Sequence, residues 1–308
     1  MLKPTVILAP TFQAMMMALI TRQVQVLAAA LVFGAAPALA QGVCKPPESS
    51  NEAKLLAFFS TPIAFSSGGL VSGLAPWHFR VAFDAAYVPS PGRSMQQPEA
   101  CYGIKKTENT QLSPVFPRPR IAIGLPGGFL FEGSYLPPIK VADAEPNLGS
   151  VALSFPWRFQ GDFNRGDLSL LLRAHATLGH VRGPITCPEE NLQQDDPGAA
   201  CYGSLASLDT FEPNMYGGEV GLVKVGAEER WGAYTTGGVT WLRPRFQVGF
   251  LYASGVYDDT KIEVDMTRLA VGVGGWYRVG ISTALTGEVY SVPQDATTFR
   301  LGGAYTFR

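Results

Sequence analysis

The sequence predicts an all-β fold: an antiparallel transmembrane β-barrel of about twelve strands, preceded by a short helical or plug-like N-terminal segment. Three observations lead to this prediction. From Trp77 onward apolar residues alternate with polar or small ones, which is the period of a strand with two different faces. The alternating stretches often reach ten residues or more, whereas the usual strand has about five or six. Charged residues make up only 16% of the 308 residues, against about 25% in a typical soluble domain.

The first 40 residues have the pattern of an export signal. An arginine precedes an apolar stretch over residues 24–36, and small residues follow at Ala38 and Ala40. We therefore expect a signal peptide over residues 1–40, cleaved near Ala40. A membrane anchor helix is disfavoured because the apolar stretch is shorter than the roughly 20 residues that span a bilayer.

Residues 41–76 differ from the remainder of the chain and form a separate N-terminal segment, either periplasmic or plug-like. The polar residues 49–51 are expected to cap a short helix that starts near Glu52 and is stopped by Pro62. The serines and glycines of residues 66–73 predict a loop. The apolar side chains of the helix are Leu55, Leu56, Phe58 and Phe59.

The alternation over residues 77–308 divides into twelve predicted strands. Their spans are 77–89, 118–126, 129–141, 147–159, 167–183, 201–209, 214–226, 231–242, 244–256, 263–277, 280–291 and 297–307. An even number fits a bacterial barrel, whose two ends and short turns share the periplasmic side. With twelve strands the short connections fall at one end of the barrel, namely 125–128, 243–244 and 278–280. The long connections fall at the other, namely 90–117, 184–200 and 257–262.

Aromatic residues lie near the ends of these strands, where a membrane barrel has its interfacial girdles. A soluble sandwich also alternates, but strand length and girdle positions together favour the membrane barrel. Trp276 has inward parity and is not assigned to the girdle. The girdle residues are Trp77, Tyr87, Tyr135, Trp157, Tyr216, Trp231, Trp241, Tyr277, Tyr305 and Phe307.

Four cysteines fit an exported protein. Cys187 and Cys201 enclose a polar stretch and predict a loop closed by a disulfide. Cys44 and Cys101 would then be the complementary pair, although four cysteines allow three pairings and the sequence does not choose among them. Zinc is a poor alternative because no CxxC motif is present, and no metal site is expected.

The last strand carries Tyr305 and Phe307, an aromatic pair separated by one residue. In this feature, and in the architecture of residues 77–308, the chain resembles Gram-negative outer-membrane β-barrel proteins. The resemblance implies a location in the outer membrane, contact with outer-membrane lipid, and recognition of these two residues by the barrel assembly machinery. Arg308 follows Phe307 and departs from the family pattern.

A second resemblance concerns the N-terminal segment. In barrels similar to the long-chain fatty-acid transporters, an N-terminal stretch plugs the lumen and helps to gate hydrophobic substrates. Residues 41–76 would serve in that way, with a periplasmic helix or a linker as equal alternatives. The chain is shorter than those transporters and carries no motif diagnostic of them.

Strand parity assigns a set of charged residues to the lumen, and arginines outnumber acids in it. The simpler interpretation is a set of ion pairs that fills and stiffens the barrel. The alternative is an anion-preferring constriction or a site for carboxylate or phosphate groups. The predicted lumen-facing residues are Arg80, Asp84, Arg118, Arg120, Glu132, Arg158, Arg173, His175, Glu219, Arg245, Arg268, Glu288 and Arg300.

Two functional hypotheses follow. One is a passive or gated channel for small solutes, with a hydrophobic ligand as a further possibility. The other is a structural or interaction barrel with a closed lumen, whose external loops bind a partner. No catalytic residues, cofactor or nucleic-acid partner are expected: GxSxG and HExxH motifs are absent, and the net charge is -1. His78 and Asp84 would lie ~20 Å apart on one strand and do not pair.

Overall fold

The computed structural model describes residues 43–69, 71–98, 100–101, 107–110, 112–158, 167–226 and 228–307, without the side chain of Arg158. The expected signal peptide, its cleavage site and Arg308 lie outside the described residues. Within the described part of the chain, no helix is long and apolar enough to cross a bilayer.

The described residues form one α-helix and sixteen strands, with single 3-10 turns at Pro126–Gly128 and Glu189–Asn191. The helix α1 spans Asn51–Ile63. The strands are β1 (Val43–Cys44), β2 (Phe79–Tyr87), β3 (Val115–Gly124), β4 (Leu130–Leu136), β5 (Glu145–Arg158), β6 (Leu168–Gly183), β7 (Asp209–Glu212), β8 (Met215–Val225), β9 (Trp231–Leu242), β10 (Arg245–Gln247), β11 (Phe250–Leu251), β12 (Tyr257–Asp258), β13 (Lys261–Glu263), β14 (Met266–Arg278), β15 (Thr283–Val292) and β16 (Ala296–Phe307).

Ten of these strands close into an antiparallel barrel. Their order around the ring is β2, β3, β4, β5, β6, β8, β9, β14, β15 and β16. The ring closes where β16 pairs with β2, from Phe299 opposite Tyr87 to Phe307 opposite Phe79. The all-β antiparallel barrel is thus confirmed, with ten strands in place of the expected twelve.

Two predicted strands, 201–209 and 244–256, do not enter the barrel wall. The first carries Cys201, which is bonded to Cys187, and this bond holds it in the connection between β6 and β8. The second leaves the barrel after β9 and breaks into the short strands β10 and β11. At Gly249 an added Cβ would lie 2.2 Å from the Leu208 carbonyl oxygen, so the two segments pack closely against each other. Alternation alone does not separate such packed loops from barrel strands.

The loss of these two strands leaves the barrel with one end of short turns and one end of long connections. The connections from β3 to β4, β5 to β6, β8 to β9 and β14 to β15 start and finish at the short-turn end. The connections from β2 to β3, β4 to β5, β6 to β8, β9 to β14 and β15 to β16 start and finish at the long-loop end, and the last of them is the tight turn 293–295. The Arg243–Pro244 connection, expected among the short turns, therefore lies at the long-loop end.

The outer surface of the barrel is apolar. Outward residues of β16 and β15 such as Leu301, Leu285 and Phe299 are 74%, 56% and 49% exposed. The ten girdle aromatics are all exposed, whereas Trp276 is buried inside, in agreement with its parity. Apolar side chains exposed on every barrel strand require an apolar surrounding, which a bilayer supplies.

At the long-loop end β6 continues beyond the barrel into a small sheet of β7, β10, β13 and β1. Both predicted disulfides are confirmed: Cys187–Cys201 closes a loop beside this sheet, and Cys44–Cys101 ties β1 to the long connection after β2. The carboxylate of Asp209 accepts hydrogen bonds from Ile185 N, Thr186 N and Gly249 N at 2.6–2.9 Å. Burial raises the pKa of Asp209, and these hydrogen bonds oppose the rise.

Helix α1 follows the small sheet and lies in the barrel at its long-loop end. Ser50 caps it by accepting a hydrogen bond from Ala53 N at 3.1 Å. Pro62 lies inside the last turn, so the helix ends one residue later than expected. Its side chains Leu56 and Ile63 join a core that includes Phe211 and Ile185. The helix therefore packs against both the barrel and the small sheet.

Candidate functional site

The chain after α1 passes through the lumen from the long-loop end to the short-turn end. Phe65 is fully buried at mid-lumen. Farther along, Ser72 binds Arg80 of β2 through its carbonyl and its hydroxyl, at 3.3 and 3.1 Å. At the short-turn end Trp77 N donates to Gly124 O at 2.8 Å. We call residues 62–69 the lumen segment.

Arg118 holds the start of the lumen segment through backbone carbonyls. Its guanidinium donates to Ala64 O at 2.7 Å and to Ile63 O at 2.6 Å, with a weaker contact to Pro62 O at 3.5 Å. The side chain is 1% exposed. The alternation of β3 places Arg118 inward between two outward prolines. An arginine fork presents several donors in one plane, which suits consecutive carbonyls at a chain turn.

Arg120 and Arg173 hold the middle of the lumen segment. The carbonyl oxygen of Ser66 accepts from Arg120 at 2.9 Å and from Arg173 at 3.2 Å. Arg173 also donates to Phe65 O. The Phe65 ring lies 4.6 Å from the Arg120 guanidinium carbon and 5.3 Å from that of Arg173. A buried ring between cations gains a cation–π attraction, so Phe65 is anchored by both its backbone and its side chain.

Arg300 of β16 and Glu288 of β15 complete the attachment of the lumen segment. Arg300 donates to Ala64 O at 3.1 Å and to the Ser66 hydroxyl. That hydroxyl in turn donates to the Glu288 carboxylate. Glu288 also accepts from Gly68 N at 3.2 Å. One serine therefore links an arginine and a glutamate of neighbouring strands to the lumen segment.

Two glycines let the lumen segment turn within this space. Gly68 and Gly69 have φ of +62° and +85°, a region that disfavours residues with a Cβ. A Cβ at Gly68 would lie 2.7 Å from the Arg120 guanidinium carbon, and one at Gly69 would lie 2.7 Å from Thr286 Cβ. Gly69 N donates to the Tyr234 hydroxyl at 2.9 Å. The described part of the loop predicted for residues 66–73 thus lies inside the barrel.

The charges at mid-lumen balance. The four arginines that contact the lumen segment face four buried acids, Asp84, Glu132, Glu219 and Glu288. Arg120 pairs with Asp84, Arg173 with Glu132 at 3.2 Å, and Arg300 with Glu288 at 3.8 Å. Arg118 has no carboxylate within ion-pair distance among the described residues. Paired arginines that also donate to the segment favour a filling and holding role over an open anion site.

Four further residues were predicted to face the lumen. His175 is buried with its Nε2 3.7 Å from Glu219 Oε1. Arg268 is buried near the long-loop end, where it pairs with Asp295 at 3.0 Å. Arg245, predicted to face the lumen, lies instead in β10, which is not a barrel strand, and pairs with Asp265 at 2.8 Å. The side chain of Arg158 lies outside the description. Among the described residues, no cluster of three or more His, Cys, Asp or Glu could hold a metal ion.

Several residues of the site carry no strong sequence signal. Phe65, Ser66 and Gly68 sit in a stretch typical of an ordinary surface loop. Tyr234 is an inward aromatic whose hydroxyl donates to Glu288 at 2.9 Å. A run of small residues just before the first strand of a charged barrel is the one pattern that would have indicated a chain inside the lumen.

Several solved structures similar to this chain are outer-membrane proteins. The outer membrane protease OmpT of Escherichia coli is 11% identical with a TM-score of 0.40, and the alignment covers 78% of this chain and 100% of that one. Ail of Yersinia pestis is 10% identical, with a TM-score of 0.31 and coverage of 76% and 100%. Omp33 of Acinetobacter baumannii is 10% identical, with a TM-score of 0.25 and coverage of 77% and 100%. No family model and no curated protein matches the chain.

Proposed function

We propose that this protein is a gated channel for small solutes in a Gram-negative outer membrane, closed at rest by its own lumen segment. The observation that carries the proposal is the attachment of residues 62–66 to four arginines of the barrel wall. A pore that is always open would leave those guanidinium groups facing water. In a closed barrel the segment occupies the space through which a solute would pass.

The membrane assignment is supported by the closed ring and its exposed apolar belt. A closed ring pairs the strand edges that would otherwise face lipid, here along every seam except part of the one between β3 and β4. The long connections gather at one end and the short turns at the other, as in bacterial barrels whose long loops are extracellular. Outer-membrane lipid would contact the belt. Tyr305 and Phe307, which are exposed on the last strand, would be recognised by the barrel assembly machinery.

Gating is favoured over permanent closure because most of the attachment consists of hydrogen bonds to carbonyls. Hydrogen bonds from a charged donor contribute about 1.5–3 kcal/mol each, so loss of the contacts of one arginine weakens the closed state by several kcal/mol without breaking a covalent bond. Among the four arginines that hold the lumen segment, Arg118 is the most useful one to replace in a test of gating. It contacts the segment, and its removal leaves no directly paired carboxylate uncompensated.

Conductance in planar bilayers tests the proposal. We expect no steady current through the wild-type protein and frequent openings through Arg118→Ala, since that variant removes three of the hydrogen bonds that hold Pro62–Ala64 and leaves only those from Arg300. Phe65→Ala, which removes the ring at mid-lumen, is a second variant with the same expected result. Arg245→Ala is the matched control because its arginine lies outside the barrel. Heat-modifiable mobility on gels confirms that each variant is folded.

Two results would count against gating. A steady wild-type current would mean that the lumen segment does not close the barrel. Absence of current through both folded variants would favour the second candidate function, an interaction barrel with a closed lumen. The specific observation for that candidate is the sheet of β7, β10, β13 and β1, which two disulfides brace at the long-loop end. The proposal assigns no catalytic step to the protein.

A further inference from the structure

The barrel wall has a gap between β3 and β4. The two strands pair only over Ile121–Gly124 and Leu130–Gly133, at the short-turn end. Beyond that point β3 continues for six residues, Val115–Arg120, paired to β2 alone. β4 continues over Ser134–Leu136, paired to β5 alone. Toward the long-loop end these two stretches are neighbours in the ring without a ladder between them.

Prolines explain why the gap does not close. Pro117 and Pro119 lie on β3 within the unpaired stretch, and Pro137 and Pro138 follow β4 directly. A proline has no backbone N–H to donate, so it is found on strand edges and interrupts a ladder. Four prolines at one seam prevent the two strands from pairing toward the long-loop end.

An apolar groove of about 270 Å³ lies along this gap and crosses the wall. Its outer mouth is formed by Phe83 and Ile139, which are 54% and 63% exposed. Its inner end is formed by Phe58 and Ile63 of α1 and by Phe211, all at most 5% exposed. Among the described residues that line it, only Thr110 and Ser113 have polar side chains, and none is charged. The groove therefore leads from the lipid-facing surface to the helix inside the barrel.

We propose that this groove binds one hydrocarbon chain of a membrane lipid, which enters from the bilayer through the gap between β3 and β4. At Phe83 the groove is continuous with the apolar belt of the barrel strands, so this side of its mouth adjoins the acyl chains of the bilayer. A lining without charged groups matches a chain of methylenes and leaves the lipid headgroup outside. This inference concerns binding at the wall and holds whether or not the lumen segment opens.

The bound chain would contact α1 next to the residues that Arg118 holds. Ile63 lines the groove, and its carbonyl accepts from Arg118 at 2.6 Å. Pro62 has both roles as well, with a longer contact of 3.5 Å. A bound chain would therefore contact two residues whose carbonyls Arg118 holds at the start of the lumen segment.

Photolabelling in vesicles tests the inference. The folded protein is placed in phosphatidylcholine vesicles that contain a lipid with a diazirine in one acyl chain. After irradiation, labelled peptides are mapped by mass spectrometry. We expect label on Phe58, Phe59 or Ile63 of α1, which an intact wall would shield from the bilayer. Label on outward residues such as Leu301 provides the internal reference for contact with lipid.

Groove-filling variants make the test specific. Ala144→Phe places a ring in the groove and is expected to lower labelling of α1 about tenfold, which corresponds to about 1.4 kcal/mol of binding free energy. Thr110→Phe is a second variant at a different lining residue, in case the first does not fold. Ala233→Phe is the control, since Ala233 is exposed on β9 across the barrel and does not line the groove.

Three outcomes would overturn the inference. In the first, wild-type label is confined to outward residues, which means that no chain passes the wall. In the second, α1 is labelled equally in the folded groove-filling variants and the control. In the third, α1 is labelled by a free single-chain amphiphile added from water but not by the bilayer lipid, which would assign the groove to a soluble ligand.

Discussion

At the scale of single residues, the lumen segment depends on side chains that fit one another closely. Gly68 shows this most clearly, because its backbone lies in the left-handed region and its Cα faces the Arg120 guanidinium. That guanidinium cannot move aside freely, since it pairs with Asp84 and donates to Ser66 O. A methyl group at this position must displace either the segment or the arginine.

We therefore predict that Gly68→Ala lowers the free energy of unfolding by about 1–3 kcal/mol, the range for a strained backbone position. Guanidinium unfolding of the detergent-folded barrel, followed by tryptophan fluorescence, measures the change. Gly237→Ala is the matched control: an added Cβ there meets nothing within 4 Å, and the residue lies in β9. Equal stability of the two variants would show that the segment does not press against Arg120.

The sequence predicts which face of its strand each side chain occupies, but it does not predict which residue that side chain contacts across the lumen. Alternation along β3 assigns Arg118 and Arg120 to one side because side chains of a strand alternate. It contains no information on what lies opposite, which depends on ring register and on a segment remote along the chain. The carbonyl contacts of Arg118 could therefore not be foreseen, whereas its burial is a simple consequence of parity.

At the scale of elements, β3 is unusual because one edge is paired along its length and the other only at one end. The cause of the missing pairing, Pro117 and Pro119, is present in the sequence. The gap itself could not be predicted from them, because prolines also occur in paired edge strands and outside strands altogether. The same limit explains the strand count. The span 244–256 alternates like a barrel strand, but packing against the loop at Leu208 removes it from the wall.

Replacement of both prolines should extend the ladder between β3 and β4. We predict that the double variant Pro117→Val, Pro119→Val slows amide exchange at Ser134–Leu136. The two new N–H groups of β3 would face the edge of β4 that is unpaired in the wild type, and the ladder between the two strands could then extend. Hydrogen exchange with mass spectrometry measures the change, and Leu130–Gly133 serves as the reference because it is already paired. Unchanged exchange at Ser134–Leu136 in the folded variant would mean that something other than proline keeps the gap open.

At the scale of the whole molecule, the path of the chain is the main consequence of the fold. β1 lies in the small sheet at the long-loop end, where Cys44 is bonded to Cys101. The chain then traverses the lumen before β2 begins at the short-turn end. The two ends of the described chain, Val43 and Phe307, consequently lie at opposite ends of the barrel. The sequence suggested instead that both ends share the periplasmic side.

This path predicts that residues 43–50 are displayed on the same side of the membrane as the long loops. An epitope tag inserted after Pro47 should be detected by antibody on intact cells as readily as one inserted after Leu205, which is 68% exposed at the long-loop end. A tag after Gly280, in a short turn, should be detected only after the cells are permeabilised. If the tag after Pro47 instead behaves like the one after Gly280, the chain does not pass through the lumen in the membrane. The contacts of Arg118 and Arg300 with the lumen segment would then be absent in the cell, and both the closed lumen and its gating would have to be abandoned.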